Sequence, residues 1–149
     1  MASVIRISDA VSIGVHAALC LGSDTSRNWS AQEIVARYEV SPAHLSKVLQ
    51  TLVRAGIVTT QRGPRGGAKL KLPPEKISLL SIYEAIDGPM TMDACLLASD
   101  GCGTKCCRLG PKLAKYNDEI REAFSSMTLA DLVKLQPVPA RPARRVKGG

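Results

Sequence analysis

Ser41-Pro42-Ala43-His44-Leu45-Ser46-Lys47-Val48-Leu49-Gln50-Thr51-Leu52-Val53-Arg54-Ala55-Gly56 spells out a helix with its start and its stop. Ser41 offers a side-chain oxygen to an orphan first-turn amide, and Pro42 suits the first helical position because its φ is preset and it lacks the amide. Leu45, Val48, Leu49 and Leu52 recur at helical spacing and must face a core. His44, Ser46, Lys47, Gln50 and Thr51 are left outward, a polar face without an acid. Gly56 ends the helix where a left-handed cap is favoured.

Upstream, Ser30 and Glu33 form a capping box, with Trp29 placed to staple onto Ile34, and a helix runs through Val35 and Tyr38 to a tight turn at Glu39-Val40. Before that, Ser8 caps a helix whose Val11, Val15, Ala18 and Leu19 share a stripe and which Gly22-Ser23-Asp24 closes. Its Cys20 and His16 read as structural residues. Downstream, two short strands are expected at Ile57 to Gln61 and Ala68 to Leu72, the second alternating Ala68, Leu70 and Leu72 inward with Lys69 and Lys71 outward. Gly63-Pro64-Arg65-Gly66-Gly67 is the loop tip. A phosphate-cradling loop is excluded there, since Ala68 and Leu70 replace the required Gly and Ser/Thr and Pro64 removes an amide donor. Pro73-Pro74 breaks the strand, and Ser78 opens a short helix through Ile82 and Ile86 that Asp87-Gly88-Pro89 closes.

Helix, tight turn, capped helix and hairpin is the order of a winged helix-turn-helix, a mainly α fold with a small β-hairpin wing. From Arg54 through Lys71 every ionisable residue is basic: Arg54, Arg62, Arg65, Lys69 and Lys71. In an isolated hairpin, Lys69 and Lys71 would read as the solvated face of an edge strand. Joined to an acid-free helix face, they read as a duplex contact. The expected DNA-binding residues are Ser41, His44, Ser46, Lys47 and Gln50 on the third helix, with Arg62, Arg65 and Lys69 on the wing.

Composition agrees. The 149 residues are 45% hydrophobic and 22% charged, enough to build a core, and 20 Lys plus Arg against 13 Asp plus Glu give +7. Aromatics, at 3%, are too few for a single-strand stacking platform, so a double-stranded DNA operator is the expected partner. Two histidines leave little for acid/base catalysis, and no enzyme is expected. The longest apolar stretch, Val11 to Leu21, is interrupted by Ser12, Gly14 and His16, so neither a membrane span nor a signal peptide is expected and a cytoplasmic location follows.

Four of the five cysteines crowd between Cys95 and Cys107, which in a reducing compartment favours a metal or redox site over a disulfide framework. Thiolates suit iron-sulfur clusters, zinc or copper(I), and Lys105 and Arg108 would offset the charge. The spacing matches neither a ferredoxin run nor a zinc ribbon. A small thiol redox or electron-transfer protein is the reading of a different class, but it leaves the acid-free helix and the wing unexplained. Beyond the cysteines, Leu113, Tyr116, Ile120, Phe124 and Met127 form one stripe of a long amphipathic helix that wants a partner helix. Thr128 and Asp131 repeat the capping-box pattern, and the Pro- and Arg-rich end from Gln136 is expected to be disordered. The expected organisation is residues 1–89 for the winged helix, 90–110 for the cysteine segment, 111–135 for dimerisation and C-terminal helices, and 136–149 for the tail.

Leu52-Val53-Arg54-Ala55-Gly56-Ile57-Val58, Arg62-Gly63-Pro64-Arg65-Gly66-Gly67, Ile77-Ser78-Leu79, the cysteines and Thr128-Leu129-Ala130-Asp131-Leu132, in that order, resemble the Rrf-type regulators of iron-sulfur biogenesis and nitric-oxide sensing (IscR and NsrR), over roughly residues 1 to 135. The resemblance implies a homodimeric transcription factor, most readily a repressor, that pairs through the long helix and in many members binds an iron-sulfur cluster through three cysteines. Carried over, Arg62 enters the minor groove and Cys95, Cys102 and Cys107 are the ligands, of a 2Fe-2S cluster first and a 4Fe-4S cluster second. A regulator of this fold with zinc, a thiol switch or no cluster is the alternative. Two departures stand out: Ala68 occupies a position often aromatic in the family, and Gly110 stands where IscR-like members place a histidine ligand. Asp9 from the partner subunit's first helix, or the extra Cys106, is then the candidate fourth ligand.

Overall fold

The computed structural model describes residues 7–90 and 110–138. Five of its six described α-helices start where a side-chain oxygen takes an orphan amide. Helix α1 (Asp9–Ser23) begins at Ser8, whose hydroxyl accepts from the Val11 N–H at 3.1 Å. Helix α2 (Ala31–Tyr38) has the full capping box between Ser30 and Glu33. Helix α3 (Pro42–Arg54) is capped by Ser41 and ends at Gly56, with φ 75°. Ser78 caps α4 (Leu79–Asp87), α5 spans Gly110–Ser126, and the Thr128–Asp131 box opens α6 (Leu129–Leu135). Between α3 and α4 lie strands β1 (Val58–Gln61) and β2 (Gly67–Leu70), followed by a 3-10 turn at Pro74–Lys76.

Leu45, Val48, Leu49 and Leu52 are buried, so the periodicity of α3 oriented that helix correctly. α1 departs from the single stripe expected of it. Val11, Ile13, Gly14, Ala17, Ala18, Leu19, Cys20 and Leu21 are all buried while Val15 is only partly so, because α3, α4 and α6 pack around α1 from different sides. The expected alternation along the second strand also stops early. Ala68 is buried, but β2 ends at Leu70 and Leu72 is 42% exposed.

The C-terminal helix returns to this core. The Leu129 N–H donates to Ile77 O at 2.7 Å and the Leu79 N–H to Met127 O at 2.9 Å, so the α5–α6 junction is stitched to the start of α4 and Leu129 is fully buried. α5 itself lies on α4 through an edge-on Tyr83–Phe124 pair and the Arg121–Glu84 ion pair at 2.6 Å. No residue of α5 is buried. No helix among the described residues is long and apolar enough to cross a membrane.

The α2 cap carries a pH signature. Partial burial pushes the Glu33 carboxyl up, but hydrogen bonds from the Ser30 N–H, the Arg27 guanidinium at 2.9 Å and the Ser30 hydroxyl outweigh it and bring it down to about 2. A depressed carboxylate stabilises the fold above its ordinary value of 4.5, and that contribution is lost as pH falls towards 2. Glu33→Gln is therefore expected to cost ~1 kcal/mol at neutral pH. In urea unfolding the gap from the parent chain should narrow below pH 4.5; a pH-independent gap would contradict this account.

Candidate nucleic-acid interface

The tight turn before α3 is made by Glu39, which adopts φ 52° and donates its N–H to Val35 O at 2.9 Å. With the apolar side of α3 buried, Ser41, His44, Ser46, Lys47 and Gln50 are exposed along the other. Ser41 has a second duty, since its hydroxyl accepts from the His44 N–H at 3.5 Å. The Arg54 guanidinium donates to Thr51 Oγ1 at 3.2 Å, and that hydroxyl donates to Lys47 O, so Arg54 is held along the helix flank.

The wing is antiparallel, with Val58 opposite Leu70 and Gln61 opposite Gly67. Its tip turns on a Gly66 N–H to Gly63 O bond of 2.9 Å and exposes Arg62 and Arg65, and Lys69 is exposed on β2. Trp29 extends the hairpin into a three-strand contact, exchanging both backbone hydrogen bonds with Ala68 at 2.8 Å. Trp29 is 3% exposed, its indole N–H donates to Asp24 O at 3.1 Å, and the Arg27 and Arg37 guanidiniums lie over its ring at 3.8 and 4.5 Å. The buried methyl of Ala68 thus sits opposite a backbone that already brings its own aromatic ring. An open groove of about 500 Å³, lined by Ala31, Ser46, Leu49, Gln50, Val53, Arg54 and Thr60, joins the outer side of α3 to β1. The helix face and the wing therefore adjoin across this groove at Thr60.

Of the five cysteines, Cys20 lies among the described residues. Cys20 is fully buried and burial pushes its thiol up to about 11, so at neutral pH it packs in the core as a protonated, unreactive side chain. His16 is likewise taken up by the fold: its Nδ1 is 2.7 Å from Ser12 O and its ring packs edge-on against Tyr38. Cys95, Cys102, Cys106 and Cys107 lie outside the described residues, and among those described no three His, Cys, Asp or Glu side chains gather as a metal site. Asp9 is exposed in the first turn of α1, beside Ser8, whose hydroxyl donates to Asp87 Oδ1 at 2.9 Å. Glu84 Oε1 accepts from the Met90 N–H at 3.2 Å and from Arg121, so the residue leading into the cysteine segment is clasped to the helix that follows it.

Local sequence patterns did not reveal the roles of Asn28, Trp29 and Thr60 in shaping this surface. Asn28 and Trp29 depend on partners far along the chain, Arg65 and Ala68, and Thr60 lines the groove only because the hairpin folds back beside α3; the nearest signal was the capping box, which placed Trp29 at a helix start without showing its strand partner.

A helix-turn-helix whose second helix stands free beside a basic hairpin defines a winged-helix DNA-binding protein. Residues 7–135 match the model of the Rrf2 family, described as an iron-dependent transcriptional regulator, and the chain belongs to that family. It is a transcriptional regulator that binds DNA, not an enzyme. It is 31% identical to the HTH-type transcriptional regulator BadM of Rhodopseudomonas palustris over 145 residues, covering 97% of this chain and 91% of the relative. It is 35% identical over 112 residues to protein aau3 of Rhizobium meliloti, covering 70% of each. Among solved structures, CymR, the global cysteine regulator of B. subtilis, superposes with a TM-score of 0.75 at 22% identity, covering 89% of this chain and 98% of that one. IscR of T. potens superposes at 0.70 with 24% identity, covering 87% of each chain. These likenesses establish the winged-helix fold.

Proposed function

We propose that the chain is a homodimeric cytoplasmic repressor that reads its operator with α3 and the wing and responds through a cysteine-held iron-sulfur cluster. The exposed, acid-free faces of α3 and the hairpin, adjoining across the groove at Thr60, carry the DNA half of this reading. Ser41, His44, Ser46, Lys47 and Gln50 face the major groove, Arg65 and Lys69 meet phosphates, and Arg62 enters the minor groove. Residues 1–89 form the reading head, 90–110 the sensing segment and 111–135 the region that pairs subunits through Leu113, Tyr116, Ile120, Phe124 and Met127.

The donor set fits an iron-sulfur cluster: Cys95, Cys102 and Cys107 are soft thiolates in a segment with Gly101 and Gly103, where backbone amides can approach the sulfurs. Once bound, the cluster supplies a redox- and ligand-sensitive group, of the 2Fe-2S type first. Asp9, or else Cys106, completes the ligand set. The chain's own residues provide the coupling. Hydrogen bonds from Arg121 and the Met90 N–H lower the Glu84 carboxylate from its ordinary value, and this clasp links the start of the cysteine segment to α5.

Anaerobic purification with an absorption spectrum and iron, sulfide and zinc analysis tests the sensing half. Cysteinyl-iron absorption with matched iron and sulfide is expected, and Cys102→Ser should abolish it. Asp9→Ala should then shift the spectrum and speed cluster loss, with Cys106→Ser nearly silent; the reverse pattern assigns Cys106. Zinc alone, or bare thiols, would overturn the cluster while leaving the DNA reading intact.

A further inference from the structure

We infer that Asn28 is a positioning residue for the wing: its side-chain amide fixes the backbone that carries Arg65, and through it the strength of the wing's grip on DNA. This rests on the reading of the wing as a DNA contact. Asn28 lies in the connection between α1 and α2, far from the hairpin in sequence. Its Nδ2 donates to Arg65 O at 3.0 Å and lies 3.4 Å from Gln61 Oε1, so one amide spans both limbs of the wing tip. A backbone carbonyl can only accept, which requires the amide nitrogen rather than the oxygen to face Arg65.

The neighbouring contacts make this bridge effective. Trp29 is buried and doubly bonded to Ala68, so the backbone next to Asn28 is anchored in the core. Gly67 brings the two segments close. At φ 141°, a Cβ there would stand 2.5 Å from Trp29 O, so any side chain would push β2 away from the strand formed by Trp29. Beyond this anchor the tip at residues 62–66 has its own Gly66–Gly63 turn bond and the Asn28 bridge. A hairpin of only four residue pairs leaves a tip that would otherwise be ordered only on DNA, and ordering it beforehand removes that entropic cost from binding. Asn28 therefore acts through the carbonyl of Arg65, with no contact of its own to DNA.

A double-mutant cycle on the full chain tests this, using the duplex that the parent chain enriches from a randomised pool. Arg65→Ala is expected to weaken binding roughly tenfold and to flatten the salt slope by about one. Asn28→Ala should weaken it roughly threefold, with a melting temperature close to the parent's because the tip lies outside the core. The double variant should bind like Arg65→Ala alone. No loss from Arg65→Ala would overturn the wing reading itself. A loss from Arg65→Ala accompanied by no loss from Asn28→Ala, or by fully additive losses, would overturn the role of Asn28 alone.

Discussion

Ile120→Glu is expected to turn a dimer into a monomer and to weaken operator binding by roughly two to four orders of magnitude, the advantage that linking two binding heads typically confers. Among the described residues, α5 buries none of its side chains, and Tyr116 on its apolar stripe is 57% exposed. Phe124 already packs edge-on against Tyr83, so part of the stripe serves the subunit's own α4, while Leu113 and Ile120 are only partly buried. An apolar helix face of that length in a small domain calls for a second copy, and two-fold pairing of like helices satisfies both at once. A carboxylate at position 120 would have to be buried unpaired in that interface, at a cost well above what one exposed charge can return. Glu119→Gln is the control, because Glu119 meets Lys115 only in an exposed pair at 3.7 Å. Sedimentation should show a monomer with undiminished helix content for Ile120→Glu; an intact mutant dimer would remove α5 from the interface.

The second large effect is expected at Gln50. This side chain is exposed on α3 and lines the groove towards Thr60 on β1, between the helix face and the wing, while its neighbours Leu49 and Leu52 are buried. A glutamine can bond an adenine edge through two groups at once, and such a pair is worth about 1–3 kcal/mol of discrimination. Gln50→Ala should lose roughly that much preference at one position in each half-site, with little change in stability or in the salt slope. Lys47→Ala should also alter sequence choice, whereas Lys69→Ala should weaken all duplexes alike. Titration of the selected duplex against single-base variants is the check, and a sequence-blind loss on Gln50→Ala would contradict the assignment of α3.

Legibility in the sequence followed the range of each interaction. Ser8, Ser30 with Glu33, Ser41, Ser78 and Thr128 with Asp131 all cap as expected, because a cap joins residues three apart. The buried side of α3 was legible for the same reason. The short hairpin was legible in kind but not in extent: alternation at Ala68 and Leu70 continues to Leu72, yet Lys71 N–H to Ile57 O is the last bond holding that limb. Contacts over long separations left no local mark. The Trp29–Ala68 bridge, the Ser78–Thr128 bridge and the Arg121–Glu84 clasp are each made by residue types common on any surface or core. In α1, one stripe was visible where the fold uses nearly the whole circumference, since small residues such as Ala17 and Ala18 admit several helices and carry no strong period of their own.

Selection of duplexes by the parent chain from a randomised pool, followed by footprinting of the enriched sequence, tests the central claim most directly: that two copies of α3 and its wing read DNA together. The account predicts an inverted repeat whose two half-sites are protected symmetrically, centred one helical turn apart or a multiple of it, with wing protection on the flanks. A bound sequence without two-fold symmetry, or capture of duplexes without any sequence preference, would contradict it.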